Sequence, residues 1–322
     1  MAVHEIPLER RTLHGHFCRD LPPVLTVDSG DTIVFSTLDA GWGVEPPHQG
    51  GQADVARRAK RRRFEPRDEE LDIGHALIGP VEVSGARAGQ TLEIGIDEVR
   101  VGPYGFTFGG GFSTALNDRL GLGESVEPRL LVFDLDAEAG TGRDQDGREV
   151  DLRPFLGVMG MPPPEDGRHP TAPPRPCGGN LDCSELVAGT TLFLPVPVDG
   201  ALFSAGDCHA RQGDGEVSQL AIECPAERVR LTLHLRDEPQ LAAPVAWTPD
   251  AWITFGLDED LDEAAALAVE WMLDLMAREH GLDRQDALAL ASAVVDLRVT
   301  QLVNGVKGVH ARLDHDAIRF AG

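Results

Sequence analysis

The chain has 322 residues with 42% hydrophobic content, enough for one large core or for two joined by exposed loops. Its 53 acidic residues against 29 basic ones give a formal net charge of −24, a field that repels phosphate backbones and anionic lipid surfaces and argues against nucleic acid or membrane as a partner. No apolar run approaches the ~20 residues that span a bilayer, and the opening residues MAVHEIPLERRTLHGHF lack a signal peptide's apolar stretch, so the expected location is the cytoplasm.

In chain order, the first two-thirds reads as short strands punctuated by Gly and Pro. Val24–Val27 and Thr32–Leu38 flank the turn residues Asp28–Gly30. Val81–Val83 and Thr91–Val99 flank Ala88–Gly89, and Leu186–Val187 and Thr191–Pro195 flank Gly189. That recurrence predicts a β-sandwich or barrel-like body, divided into an N-terminal β-rich region (1–160) and a β-rich catalytic region (161–322) that form one intertwined unit. Residues 52–72 interrupt it with the basic run Arg57, Arg58, Lys60, Arg61, Arg62 and Arg63, which reads as a surface loop or short helix. Met161–Pro176 is too proline-dense for a helix or central strand and is expected to be an irregular loop delivering the chain to Gly178.

The character changes at Asp258. Leu261, Ala265, Ala268, Met272, Leu275 and Met276 recur at helical spacing, with acidic residues before them and Gly281 after, which predicts a capped amphipathic helix. A second helix is predicted from about Arg284 to Val299, N-capped by Asp283, with Leu288, Ala291, Val294 and Val295 as its apolar stripe. Both are assigned a packing role. The fold class is therefore α+β, a dominant β body with a C-terminal helical pair packed on it.

Chemistry concentrates in GDCHARQGDGE, residues 206–216. On a strand, Asp207 and His209 share a face, while Asp214 and Glu216 add two carboxylates beside glycines that let the backbone turn. Such Asp, Glu and His donors suit a metal that lowers the pKa of a bound water. GGNLD, residues 178–182, is a second candidate: Gly178 and Gly179 bare the backbone, Asn180 both donates and accepts, and Asp182 can ligate a cation. His16, Asp39 and His75 are isolated candidates. The five cysteines, Cys18, Cys177, Cys183, Cys208 and Cys224, lack CxxC spacing and read as free thiols, Cys208 alternating away from Asp207 and His209. No GxSxG elbow, P-loop, Rossmann fingerprint or HExxH helix occurs.

These residues fall within longer blocks: LTVDSGDTIVFSTLDA at 25–40, GHALIGPVEVSGARAGQTLEI at 74–94, GVMG at 157–160, PRPCGGNLD at 174–182 and LPVPVDGALFSAGDCHARQGDGEVSQLAIE at 194–223. In them the chain resembles the acetamidase/formamidase family over essentially its full length. The resemblance implies hydrolysis of a small linear carboxamide, such as formamide or acetamide, to a carboxylate and ammonia. It also implies a bound divalent metal, zinc or calcium, and a homo-oligomer, taken as a dimer. It carries over Asn180, Asp182, Asp207, His209, Gln212, Asp214 and Glu216. In the roles that amide chemistry then requires, Asp182, Asp207 and His209 hold the metal. Glu216, with Asp214 and His209, performs acid–base catalysis, and Asn180, Gln212, Gly178 and Gly179 bind substrate. Two alternatives stand beside this reading: a β-sandwich protein that holds a cation and a small polar ligand without turnover, and a lactam or ester hydrolase using the same site.

Overall fold

A computed structural model describes residues 1–47, 61–238 and 240–319. Among these, the strands form two large open sheets. One runs, in spatial order, through Val3–Ile6, Asp31–Phe35, Ala226–Arg236, Thr91–Val101, Thr191–Pro195, Val245–Trp247, Ala251–Asp258, Lys307–Asp314 and Val295–Gln301. The other runs through Glu149–Asp151, Thr141–Asp144, Arg129–Asp136, Tyr104–Gly109, Glu223–Cys224, Phe203–His209, Phe155–Gly160 and Gly178–Asn180. Leu77–Val83 joins it on Phe203–His209 and carries Leu13–His14 and Leu25–Val27. Neither sheet closes into a barrel.

The turn-flanked sets behave differently from hairpins. Leu25–Val27 pairs in the second sheet and Asp31–Phe35 in the first; Leu77–Val83 and Thr91–Val101 are divided in the same way. Each turn thus carries the chain from one sheet to the other. Leu186–Val187 is no strand, Val187 making only an isolated bridge to Phe155. The alternating residues that follow each turn, such as Leu92, Ile94 and Ile96, meet Val81, Leu156, Phe203 and Leu231 in a single apolar cluster that draws on both sheets. Burying each such side chain stabilises the fold by about 1.5–3 kcal/mol.

The first C-terminal helix spans Leu261–His280, capped at its start by the Asp260 carboxylate on the Asp262 and Glu263 N–H groups and ended by Gly281 in the left-handed region. Small residues set its approach: a Cβ on Gly256 would collide with the Ala264 carbonyl, so the helix lies directly on Ala251–Asp258, where Thr254 Oγ1 donates to the Ala268 carbonyl at 2.8 Å. The second helix is shorter than its pattern implied. It spans Arg284–Val294, and Val295–Gln301 is an edge strand on Lys307–Asp314. The run VVDLRVT is β-branched at four positions, and pairing along an open strand edge outweighs continuation of the helix. Of the predicted stripe, Ala291 is buried and Val294 and Val295 are half-buried, whereas Leu288 is exposed and Ala287 takes the inner place.

Arg57, Arg58 and Lys60 of the basic run lie outside the described residues. Residues 61–72 contain no helix, and Arg61 departs from the expected surface placement: its side chain is buried and forms a two-pronged ion pair with the buried Asp39 at 2.6 and 2.8 Å. Among the described residues no helix is long and apolar enough to cross a membrane.

Candidate metal and amide site

Gly157 is the centre around which the carboxylates gather. Its strand, Phe155–Gly160, pairs antiparallel with Phe203–His209, so that Gly157 lies opposite Asp207 between the pairs Leu156/Cys208 and Val158/Gly206. On its other side the strand pairs with Gly178–Asn180, after which the Asp182 N–H donates to the Gly157 carbonyl. A Cβ on Gly157 would stand 2.5 Å from Asp207 Oδ2, 2.6 Å from Asp182 Oδ1 and 2.8 Å from His209 Cε1. Only hydrogen at this position leaves the three groups room to converge.

Asp182, Asp207 and His209 are all buried, and their ligand-type atoms lie within 4.8 Å of one another. The expected sharing of one strand face by Asp207 and His209 is what the strand delivers, with His209 Nε2 3.3 Å from Asp207 Oδ1. Glu223, on the neighbouring strand and register-paired with His209, places Oε1 3.4 Å from the same nitrogen. Glu216 is buried beside Asp182. Three of these acids, Asp182 (φ 48°), Asp207 (φ 60°) and Glu216 (φ 44°), hold left-handed backbone that costs of order 1–3 kcal/mol each, as does Asn304 (φ 65°), which contacts Asp182. Strain gathered on one cluster marks a site whose geometry the surrounding fold enforces.

The polar inventory fits a cation. Asp182 Oδ1, Asp207 Oδ1, Glu216 Oε2, Glu223 Oε2, Asn180 Oδ1, Gln212 Oε1 and His209 Nδ1 are buried with no hydrogen-bond partner. The His209–Asp207 contact is thus electrostatic rather than an aligned hydrogen bond. All but the histidine nitrogen are obligatory acceptors at these atoms unless protonated, and a group of unmet acceptors is stabilised by a positive charge placed among them. Without one, protons take that part. Burial pushes the Asp182 and Glu223 carboxyls well above their ordinary range, and burial raises Glu216 to about 8, with Glu223 and Asp207 adding to the rise and His209 opposing it. Burial also disfavours charge on Asp207 and His209, but opposite charge prevails: His209 holds Asp207 low, and Glu223 and then Asp207 hold His209 high.

The remaining predicted residues divide. Gln212 is buried with Nε2 donating to the Asp182 carbonyl at 2.7 Å, so it fixes the Asp182 backbone. Asn180 sits in the strand with its carbonyl accepting from Gln301 and its side-chain oxygen free. Gly178 and Gly179, both at positive φ, pack against Met159 and Gly160 so closely that a Cβ on Gly160 would collide with the Gly179 nitrogen. Asp214 is exposed, accepts from Ser184 Oγ at 3.0 Å and stands outside the buried group. Asp39 serves a separate buried lock, accepting from Arg61, the Tyr104 hydroxyl and the Gly41 and Gly43 N–H groups. His16 binds the Leu71 carbonyl. His75, by contrast, reaches the cluster, with Nε2 4.0 Å from Asp207 Oδ2. All five cysteines are free, and Cys208 is buried against Cys224 rather than turned toward the acids.

Sequence reasoning missed Gly157, Glu223, Gln301 and Asn304. Asn304 Nδ2 donates to Asp182 Oδ2 and to Gln301 Oε1, and the Gly215 N–H donates to the Thr300 carbonyl, so the edge strand after the second helix clips the 213–216 loop over the site. The signal lay in polar TQLVN following an apolar helix, and in the lone buried acid that ends SQLAIE.

A model of the Acetamidase/Formamidase family matches residues 3–169 and 165–310 of the chain. The structure of an acetamidase from Bacillus halodurans is similar at 30% identity and a TM-score of 0.80, covering 96% of this chain and 97% of that one. A Thermoanaerobacter tengcongensis protein described as a predicted acetamidase/formamidase is 25% identical, with a TM-score of 0.80 and 99% of each chain covered. The formamidase of Methylophilus methylotrophus is 24% identical over 255 residues, which span 64% of this chain and 60% of that protein.

Proposed function

The chain belongs to the acetamidase/formamidase family, and we propose that its own reaction is the metal-dependent hydrolysis of a small linear carboxamide, formamide- or acetamide-like, to a carboxylate and ammonia. The observation that carries this reading is the buried Asp182, Asp207 and His209 group over Gly157, with its unmet acceptors. These three residues would hold the ion. One imidazole nitrogen among the donors suits zinc better than calcium, which prefers six to eight oxygens. Such an ion, when bound, supplies Lewis acidity and a water acidic enough to react near neutral pH.

The chain's own residues do the rest. Glu216, buried beside Asp182, would accept a proton from the attacking water and return one to the departing nitrogen. The free Asn180 Oδ1 can accept from the substrate's NH₂ group. Glu223 lies against the same His209 nitrogen that faces Asp207, and Asn304 and Gln301 keep Asp182 in place. Burial of the acids keeps bulk water from competing with these contacts. A homodimer working in the cytoplasm completes the proposal, with light scattering as its check.

Ammonia release from a panel of formamide, acetamide, longer amides, a lactam and an ester, with and without a chelator, tests the reading. Turnover of short amides that is lost on chelation and restored by zinc supports it. Ion binding without turnover of any amide would instead favour a binding protein on the same scaffold.

A further inference from the structure

His75, with Nε2 4.0 Å from Asp207 Oδ2, stands partly open. Its side chain is 22% exposed, against 3% for Asp207 and 1% for His209. The ring is held with unusual care for a surface histidine. Thr171 Oγ1, fully buried in the proline-dense loop, lies 2.9 Å from the His75 backbone N–H and 2.8 Å from Nδ1. The residues on either side are fixed as well: the Gly74 N–H donates to the Gly15 carbonyl, the Ala76 N–H donates to the Ala40 carbonyl, and Trp42 Nε1 donates to the Gly74 carbonyl. Gly74 itself admits no side chain, because a Cβ there would collide with Thr171 Oγ1 and stand 2.5 Å from the Gly15 carbonyl.

That arrangement sets the tautomer. Thr171 Oγ1 accepts the His75 backbone N–H, which leaves its own hydroxyl hydrogen to donate, and Nδ1 is the acceptor within reach. With the Thr171 hydroxyl donating to Nδ1, the ring proton resides on Nε2. Nε2 makes no hydrogen bond to the described residues, and at 4.0 Å from Asp207 Oδ2 it is too far away for one. The result is a donor beside the carboxylate cluster, 4.0 Å from Asp207 Oδ2 and with no hydrogen-bond acceptor among the described residues. Among so many unmet acceptors, an oriented donor serves the other half of an amide, its carbonyl oxygen.

Resting on the amidase reading above, we propose that His75 is a catalytic residue whose Nε2–H donates to the substrate carbonyl oxygen and to the negative charge that develops there, and that Thr171 is the positioning residue that fixes its tautomer. No proton need transfer at this position. Glu216 remains the acid–base group, and His75 acts by hydrogen bonding.

Kinetics and nitrogen NMR together test this. His75→Ala should lower kcat for acetamide by roughly 10²-fold with KM little changed, as loss of one oxyanion donor does. His75→Gln, whose amide nitrogen can still donate, should recover part of that loss. Thr171→Val should lower kcat about tenfold, and Thr171→Ser, which keeps the hydroxyl, should recover most of it. Independently of turnover, ¹⁵N-histidine spectra of the untreated wild-type protein, recorded at a pH alkaline enough to leave the ring uncharged, should show His75 as the Nε2–H tautomer, with Thr171→Val populating the other form and thermal melts confirming that both fold. An Nδ1–H tautomer in the wild type, or a His75→Ala enzyme as fast as wild type, overturns the proposal. A wild-type protein inert toward every amide would instead remove the underlying amidase reading, whatever the tautomer.

Discussion

Substituting Gly157 by alanine isolates the contribution of ligand convergence, because the methyl group meets almost nothing but the three ligands. Gly157 does not occupy the left-handed region, so alanine imposes no backbone penalty there. The added carbon would stand 2.5, 2.6 and 2.8 Å from atoms of Asp207, Asp182 and His209, whereas ordinary contact begins at 3.4 Å, so each ligand must retreat by about 0.6–0.9 Å. Metal ligation tolerates about 0.2 Å, so the displaced set should lose metal affinity by about 10–100-fold, or about 1.4–2.7 kcal/mol. Overpacking adds about 1–3 kcal/mol of destabilisation, less if the side chains rotate outward. Zinc titration against a chromophoric chelator measures the affinity, ammonia release from acetamide the activity, and a denaturant melt the stability. Gly157→Ala protein that bound zinc and turned over acetamide like wild type would refute the assignment of Asp182, Asp207 and His209 as the ligand set.

Glu216→Gln should lower kcat by about 10²–10⁴-fold while zinc still binds, since the amide keeps the size but cannot accept a proton; stopped-time ammonia assays check this. Glu223→Gln should instead weaken zinc about 10–100-fold, read by the same chelator titration, because it removes the carboxylate that orients His209. Asp39→Ala should destabilise the fold by about 3–5 kcal/mol in a urea titration, by leaving the Arg61 guanidinium buried without its partner. Burial holds His14 neutral down to about 4, against 6.5 when exposed. The unfolded chain takes up that proton from about pH 6.5 downward and the folded chain only near 4, so the ring's stabilising contacts count fully above 6.5 and are offset progressively as pH falls. His14→Gln should therefore cost about 2–3 kcal/mol more at about pH 7 than at about pH 4.5, in urea melts at both.

The parts of this molecule that were legible in its sequence are those encoded locally. Asp260 and Gly281 bound the long helix because capping depends on a few neighbouring residues. Asp207 and His209 face together because strand alternation has a fixed period. What distance in the chain brings together was not legible. Glu223 reaches His209 only through strand pairing, Asn304 reaches Asp182 across 122 positions, and Gly157 matters through what it leaves empty. His75 stood alone in the sequence, and the contact that holds its ring comes from Thr171, 96 residues away. Asp214, adjacent to the right residues in sequence, points elsewhere because the loop turns at Gly213 and Gly215. The edge strand at 295–301 was hidden for another reason: its first residues continue a helical pattern, and strand pairing overrides local preference.

The central claim is that one divalent ion is held by Asp182, Asp207 and His209. Anomalous diffraction from crystals of untreated protein, collected on both sides of the zinc absorption edge, tests it directly. The account predicts a single strong peak within bonding distance of all three side chains that vanishes below the edge. A peak at other residues, or none in protein that releases ammonia from acetamide at full rate, would contradict it.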